Sequence, residues 1–124
     1  MTKLLPEVRT VVEKVKPYPI ATASPDGKPN LIYVSFLRVL DDETIQVADN
    51  FFDKTRKNLL KGGKGSLLFI TNGGKAYQIK GELEYHTEGE IFDDMKSWNP
   101  TKHPGHAAAV VKVEQVYSGA EKIC

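Results

Sequence analysis

Apolar residues recur at two different spacings along the chain, and the spacing separates predicted helices from predicted strands. Where they recur every three or four positions, with charged residues between them, the pattern is typical of an amphipathic helix. Pro17 ends the first such segment, and Gly62-Gly63 ends the second, which has Asp53 as its predicted N-cap. The predicted helices are Leu4–Val15, Lys54–Lys61 and Glu88–Trp98. The third places four apolar side chains near one face: Ile91, Phe92, Met95 and Trp98.

Extended apolar segments separated by tight turns predict an antiparallel sheet. Pro25-Asp26-Gly27-Lys28 and Asn72-Gly73-Gly74 are turn sequences, and Gly81 inside a strand is typical of a bulge. The predicted strands are Ile20–Ser24, Asn30–Leu40, Thr44–Ala48, Gly65–Thr71, Tyr77–His86 and Ala107–Val116. Six strands with helices at their edges predict a mostly β fold with α character (α+β), a small antiparallel barrel over a single domain, 1–124.

Composition narrows the class of protein. The 124 residues are 40% hydrophobic and 27% charged, which is typical of a soluble globular domain. Seventeen Lys and Arg against sixteen Asp and Glu leave a net charge of +1, so we expect neither nucleic acid nor a membrane surface as the partner. The only cysteine is Cys124, which excludes a disulfide framework, and we expect a cytoplasmic protein. A domain this small would need a second subunit to enclose a large flat ligand.

A basic segment follows the predicted strand Thr44–Ala48, at the start of the second predicted helix. Its cations are Lys54, Arg56, Lys57, Lys61 and Lys64, with no acid between the first and the last. The Lys54 ammonium and the Thr55 hydroxyl, beside the free N–H groups of a helix start, would suit a phosphate. The alternative is a solvated basic face on a surface helix. The sequence alone leaves both interpretations open.

Other candidate residues give weaker indications. The segment Leu31–Val39 is apolar on both faces, so its second face would meet either another subunit or an aromatic ligand. His103 and His106 form an H-x-x-H pair without a neighbouring carboxylate or cysteine, and we predict no metal site. Trp98 would lie either in the core or in the wall of a slot for a ring. No residue is identified as a catalytic acid, base or nucleophile.

The order of these segments resembles the pyridoxamine 5'-phosphate oxidase-like, FMN-binding split-barrel superfamily, particularly its short bacterial and archaeal members. The resemblance runs from Ile20 to about Tyr117. The segments that carry it are Ile20–Ser24 with the Asp26–Pro29 turn, Tyr33–Phe36, Ala48–Asn50 leading to Lys54-Thr55 and Asn58-Leu59, Tyr77–Gly81 and Val111–Tyr117.

The resemblance implies a six-stranded split barrel that forms a homodimer and holds one FMN per subunit at the interface. It implies that Lys54 and Thr55 contact the cofactor phosphate. The same resemblance assigns flavin-ring contacts, largely through the main chain, to Tyr33, Val34 and Ser35, and places Ala48, Asp49 and Asn50 beside the ring and ribityl chain. The expected function is an oxidoreductase or electron-transfer flavoprotein with a small-molecule or protein redox partner.

Two alternatives keep this fold. One is a deazaflavin (F420) or haem in place of FMN, and the only histidines that could bind haem iron are His86, His103 and His106. The other is a flavin-binding module without a reaction of its own. The oxidases proper carry further chain with Arg and His residues after the barrel, whereas this sequence stops at Cys124, and only Arg56-Lys57 loosely matches their phosphate site. We therefore do not expect oxidation of vitamin B6.

Overall fold

Three short helices and eight strands make up the described part of the chain. The structure, a computed structural model, describes Leu4 and residues 6–12, 16–71 and 73–123. The helices are α1 (Pro6–Val12), α2 (Lys54–Leu60) and α3 (Glu90–Trp98). The strands are β1 (Tyr18–Ala23), β2 (Pro29–Val34), β3 (Leu37–Asp41), β4 (Thr44–Asp49), β5 (Lys64–Ile70), β6 (Ala76–His86), β7 (Ala107–Ser118) and β8 (Glu121–Lys122). None of the helices in these ranges is long and apolar enough to cross a bilayer.

One antiparallel sheet contains all the strands, in the order β2-β1-β5-β6-β7-β4-β3, with β8 paired to β7. The two end strands, β2 and β3, are consecutive in the chain and are joined by Ser35 and Phe36 alone. Such a link spans at most about 11 Å between Cα atoms, so the sheet must curl until its two ends approach each other. No ladder joins β2 to β3 along this strand path, so the sheet stays open where its ends meet.

The structure confirms the mostly β, α+β class but not the count of six strands. The predicted strand Asn30–Leu40 is two strands, because β2 pairs with β1 whereas β3 pairs with β4. Because β1 and β4 lie near opposite ends of the sheet, the chain has to bend between β2 and β3, and it bends at Ser35 and Phe36. The two-residue strand β8 is the other addition. In place of the predicted six-stranded antiparallel barrel, the described residues form an open, strongly curled sheet of eight strands.

The helices differ from the predictions mainly at their ends. Positions 5 and 13–15 of the first predicted helix lie outside the described residues. In α2, Asp53 occupies the N-cap position, but its side chain makes no capping hydrogen bond. The helix α3 begins at Glu90 rather than Glu88, because Gly89 has a φ of 93°, outside the helical range.

The predicted apolar face of α3 is confirmed. Met95 is fully buried, and the other three apolar side chains pack around a small cluster with Ala48 and Ala108. The helix is also tied to β4 by one amide: Gln46 accepts a hydrogen bond from Trp98 Nε1 at 2.9 Å and donates one to the carbonyl oxygen of Ile91 at 2.6 Å. This second core therefore fixes α3, and the loop that follows it, against the end of β4.

We expect Gly81→Ala to lower the free energy of unfolding by about 3 kcal/mol. The register between β6 and β7 shifts between Lys80 and Gly81, and an added Cβ would lie 1.9 Å from the carbonyl oxygen of Lys112. Urea unfolding measures the loss. Gly73→Ala is the matched control, because its Cβ would have no neighbour closer than Thr71 Oγ1 at 3.8 Å. Equal unfolding midpoints for the two variants would contradict the close approach at the bulge.

Candidate functional site

A cavity of about 210 Å³ opens where the curled sheet fails to close. Five predicted site residues line it, at the end of β2, in the link to β3 and at the end of β4: Tyr33, Val34, Ser35, Ala48 and Asn50. Four aromatic side chains that were not predicted as site residues also line it: Phe36, Phe51, Phe52 and His103. The walls are thus largely apolar and aromatic, which is typical of a site for a planar ring.

The aromatic wall comes from three separate segments of the chain. The His103 ring lies 4.8 Å from the Phe36 ring in a tilted arrangement and 5.8 Å from the Phe51 ring in an edge-on arrangement. These separations are in the range in which aromatic pairs attract each other. At the rim, Tyr33 is 73% exposed and Phe51 is 76% exposed. The slot is therefore walled by rings on its inner side and open to solvent at its mouth.

A pair of buried amides holds the loop that carries His103. Asn50 Nδ2 donates to Asn99 Oδ1 at 3.0 Å, and Asn99 Nδ2 donates to Asn50 Oδ1 at 2.9 Å. The same Asn50 oxygen accepts the backbone N–H of Gly105 at 2.9 Å, and the N–H of His106 donates to the carbonyl oxygen of Asp49 at 2.8 Å. The side chain of Asn50, predicted as a cofactor contact, is therefore largely occupied in fastening the 99–106 loop to β4.

The carboxylate of Asp49 does not line the cavity. It is fully buried and accepts hydrogen bonds from Arg56 Nε at 2.8 Å and Nη2 at 3.0 Å, from the backbone N–H of Phe52 at 3.0 Å, and from the Tyr85 hydroxyl. Hydrogen bonding to Asp49 raises the pKa of Arg56 further above its ordinary value. Because the Arg56 guanidinium binds the Asp49 carboxylate, the positive charge of Arg56 is already neutralised within the protein. The predicted contact of Asp49 with a cofactor stays a prediction.

Lys54 and Thr55 also lie outside the cavity, at the start of α2, two residues after Phe52. Thr55 is buried, and its hydroxyl accepts a hydrogen bond from Asn30 Nδ2 at 2.7 Å. Lys54 is exposed, and its ammonium forms no ion pair or hydrogen bond within the described ranges. Two neighbouring cations, in contrast, have carboxylate partners: Lys57 lies 3.9 Å from Asp53, and Arg56 binds Asp49. Lys54 is therefore the cation of α2's first turn that is available to a ligand.

The three histidines have different surroundings. His86 Nε2 lies 3.0 Å from Glu84 Oε1, and His106 is exposed, whereas His103 lines the cavity. Within the described part of the chain, no three His, Cys, Asp or Glu side chains come together as a group that could hold a metal ion. In the sequence, His103 was considered in an H-x-x-H pair and as a ligand of haem iron, and its place in the aromatic wall was not predicted.

Comparison with known proteins identifies the family. A family model described as pyridoxamine 5'-phosphate oxidase matches residues 4–119, which is nearly the whole chain. The chain belongs to the pyridoxamine 5'-phosphate oxidase family. A relative within curated proteins, the uncharacterized protein MJ0282 of Methanocaldococcus jannaschii, is 39% identical over 105 residues, covering 80% of this chain and 70% of that protein.

Solved structures share the fold of this oxidase family member. An FMN-binding protein from Syntrophomonas wolfei is 25% identical, with a TM-score of 0.77, over 94% of this chain and 83% of that one. HupZ from group A Streptococcus is 24% identical, with a TM-score of 0.83, over 93% of each chain. More distant neighbours, both 16% identical, are an F420 reductase (TM-score 0.66, 88% and 94% covered) and the haem storage protein HutZ of Vibrio cholerae (0.69, 94% and 95%). The fold is therefore shared by proteins described with different ring ligands.

Tyr85→Phe should destabilise the protein and change its response to alkali. Burial, together with the hydrogen bond to Asp49, raises the pKa of Tyr85 from 10.0 to about 12. The stability that the protonated phenol contributes is therefore complete below pH 10 and is lost as the pH rises through about 12. Removing the hydroxyl should lower the free energy of unfolding at neutral pH by about 1.5 kcal/mol or more, because a buried carboxylate loses a donor.

Urea unfolding across the alkaline range, with tyrosine absorbance recorded in parallel, measures both effects. Tyr117→Phe serves as the control, because Tyr117 is partly buried, as Tyr85 is, but lies beside Lys80 rather than a carboxylate. If Tyr85→Phe and the wild type lost stability in parallel above pH 10, the proposed coupling of Tyr85 to Asp49 would be wrong.

Proposed function

We propose that this protein is an FMN-binding flavoprotein, with the flavin ring in the cavity at the opening of the curled sheet. The observation that carries the proposal is the aromatic slot itself, since five residues assigned to the cofactor by sequence resemblance line it. The similarity to the FMN-binding protein of Syntrophomonas wolfei supports it. FMN bound there would supply hydride or electron transfer, which makes an oxidoreductase or an electron carrier the expected function.

The residues present suit each part of this cofactor. Phe36, Phe51 and His103 offer flat aromatic surfaces on which a planar ring could pack. Lys54 offers an ammonium without a protein partner among the described residues, and a charge-assisted hydrogen bond to a phosphate is among the strong ones. Thr55, three residues beyond Phe52, accepts a hydrogen bond from Asn30 and keeps its own hydroxyl proton to donate. No residue is assigned as acid or base.

The size of the cavity favours a second subunit. Sites for small ligands enclose about 300–1,000 Å³, more than the 210 Å³ that one chain provides. Tyr33 lies at the cavity rim and also belongs to the outer face of the sheet. Pro19 lies opposite it on β1. Leu31, Leu68 and Ile70 are exposed on the same face. An exposed apolar surface continuous with a half-open slot supports a homodimer that completes the site.

Two measurements test the cofactor. Purified protein should be yellow or should take up FMN with a flavin absorbance band. Lys54→Ala should weaken FMN binding by about tenfold to a hundredfold, because a charge-assisted hydrogen bond contributes about 1.5–3 kcal/mol. Riboflavin, which lacks the phosphate, should bind both proteins equally. Lys61→Ala, at the far end of α2, is the control. Colourless protein that takes up no FMN would refute the proposal.

The subunit interface is tested by one charge on the apolar face. The wild type should sediment as a dimer, and Leu68→Lys should shift it to a monomer with weaker FMN binding, because a buried unpaired lysine opposes association. Leu60→Lys is the matched control, since Leu60 is also exposed but lies on α2. A wild type that sediments as a monomer with full FMN affinity would contradict the shared site.

A haem is the second candidate, favoured by one observation: His103 alone among the three histidines lines the cavity. A neutral imidazole there could bind haem iron. The absorbance spectrum separates the candidates, because FMN gives a flavin band, F420 a deazaflavin band and haem a Soret band. Bound FMN that no reductant reduces would instead indicate a flavin-binding module without a reaction.

A further inference from the structure

We infer that His103 is a ligand-contacting residue that forms the aromatic wall over the bound ring, and that Asn99 is its positioning residue, acting through Asn50. This inference rests on the proposed function, since it takes the ligand to be a planar ring in the cavity. It adds a part of the chain, the 99–106 loop, to which neither the resemblance nor the comparisons assign a role.

The position of His103 indicates contact with a ligand. Its ring is half-buried between Phe36 and Phe51, and it lines the same cavity as both. No hydrogen bond from the imidazole to another described side chain explains its place there, whereas His86 has Glu84. The loop that carries it lies outside the sheet, and the ring is turned back against the opening. An aromatic face in this position would pack on whatever planar group fills the slot.

The fastening of the loop explains how a loop residue is held in place. Asn50 directly follows β4, and its buried amide pairs with that of Asn99 in both directions. Gly105, at the other end of the loop, bonds to the same Asn50 oxygen. Lys96 Nζ donates to the carbonyl oxygen of Pro104 at 2.9 Å. Both ends of the segment around His103 are thus anchored, so the width of the slot depends on the amide pair.

The first test compares FMN and riboflavin for two variants of His103. His103→Ala should lower the affinity for both ligands by the same factor, about fivefold, because the lost contact is with the ring. His103→Phe should restore most of the affinity, because it keeps an aromatic face. Lys54→Ala provides the contrast, since it should affect FMN alone. The inference is overturned if His103→Ala binds both ligands as tightly as the wild type, if the two factors differ, or if phenylalanine does not restore binding.

The second test is a double-mutant cycle for Asn99. Asn99→Ala should lower the affinity for riboflavin by about threefold in the wild-type background. In the His103→Ala background it should lower the affinity no further, because Asn99 acts through His103. Additive losses would overturn the positioning role, since a general loss of structure acts equally in both backgrounds. If Asn99→Ala does not fold, Asn99→Asp replaces it in the same cycle, because it keeps an oxygen for Asn50 Nδ2 and loses the returning bond.

The outcomes separate this inference from the proposed function. Wild-type protein that binds neither FMN nor riboflavin would refute both. Wild-type protein that binds FMN, with His103→Ala unchanged in affinity, would refute only the role of His103. The absorbance band of the bound flavin gives a further check: it should shift toward the position found in water when His103 is replaced by alanine, and it should keep its wild-type position with phenylalanine.

Discussion

The change of pairing partner between β2 and β3 is the constraint on which the site depends. The chain crosses from one end of the sheet to the other within two residues, Ser35 and Phe36, so the sheet has to curl. Because the two end strands do not pair, the curl leaves a gap lined by the residues that make the crossing. The cavity is thus a direct result of the topology, and its inner lining is apolar because Val34 and Phe36 also pack against the two apolar clusters.

Two adjacent residues at the end of β4 organise the opposite sides of this gap. Asp49 turns inward and binds the backbone before α2, the Arg56 guanidinium and the Tyr85 hydroxyl. Asn50 turns the other way and binds the loop after α3. The two neighbouring side chains therefore bind different parts of the chain. One strand end therefore positions both the basic start of α2 and the aromatic wall, and neither buried polar group is left unpaired.

The local elements were predictable, whereas the contacts that shape the site were not. Helical and strand periodicities located the three helices and the long strands of the described residues, and Gly81 marked the register shift between β6 and β7, where the extra residue, Glu114, belongs to β7. The break at Ser35 was missed because the segment is apolar on both sides of it, and periodicity does not show which strand is the partner. The Asn50–Asn99 pair joins residues 49 positions apart and has no local signal. His103 was not predicted as a ring contact, because the sequence does not show the two phenylalanines beside it.

The place of Tyr33 has a thermodynamic consequence. It borders the cavity and also belongs to the exposed apolar face of the sheet, next to Pro19. A ring in the slot and a second chain on the apolar face would therefore both contact Tyr33. Whichever binds first would restrict the rotamers of Tyr33 and so lower the entropic cost of binding the other. Occupancy and association then become reciprocally coupled equilibria, so that dilution of the protein would release its ligand and saturation with ligand would oppose dissociation.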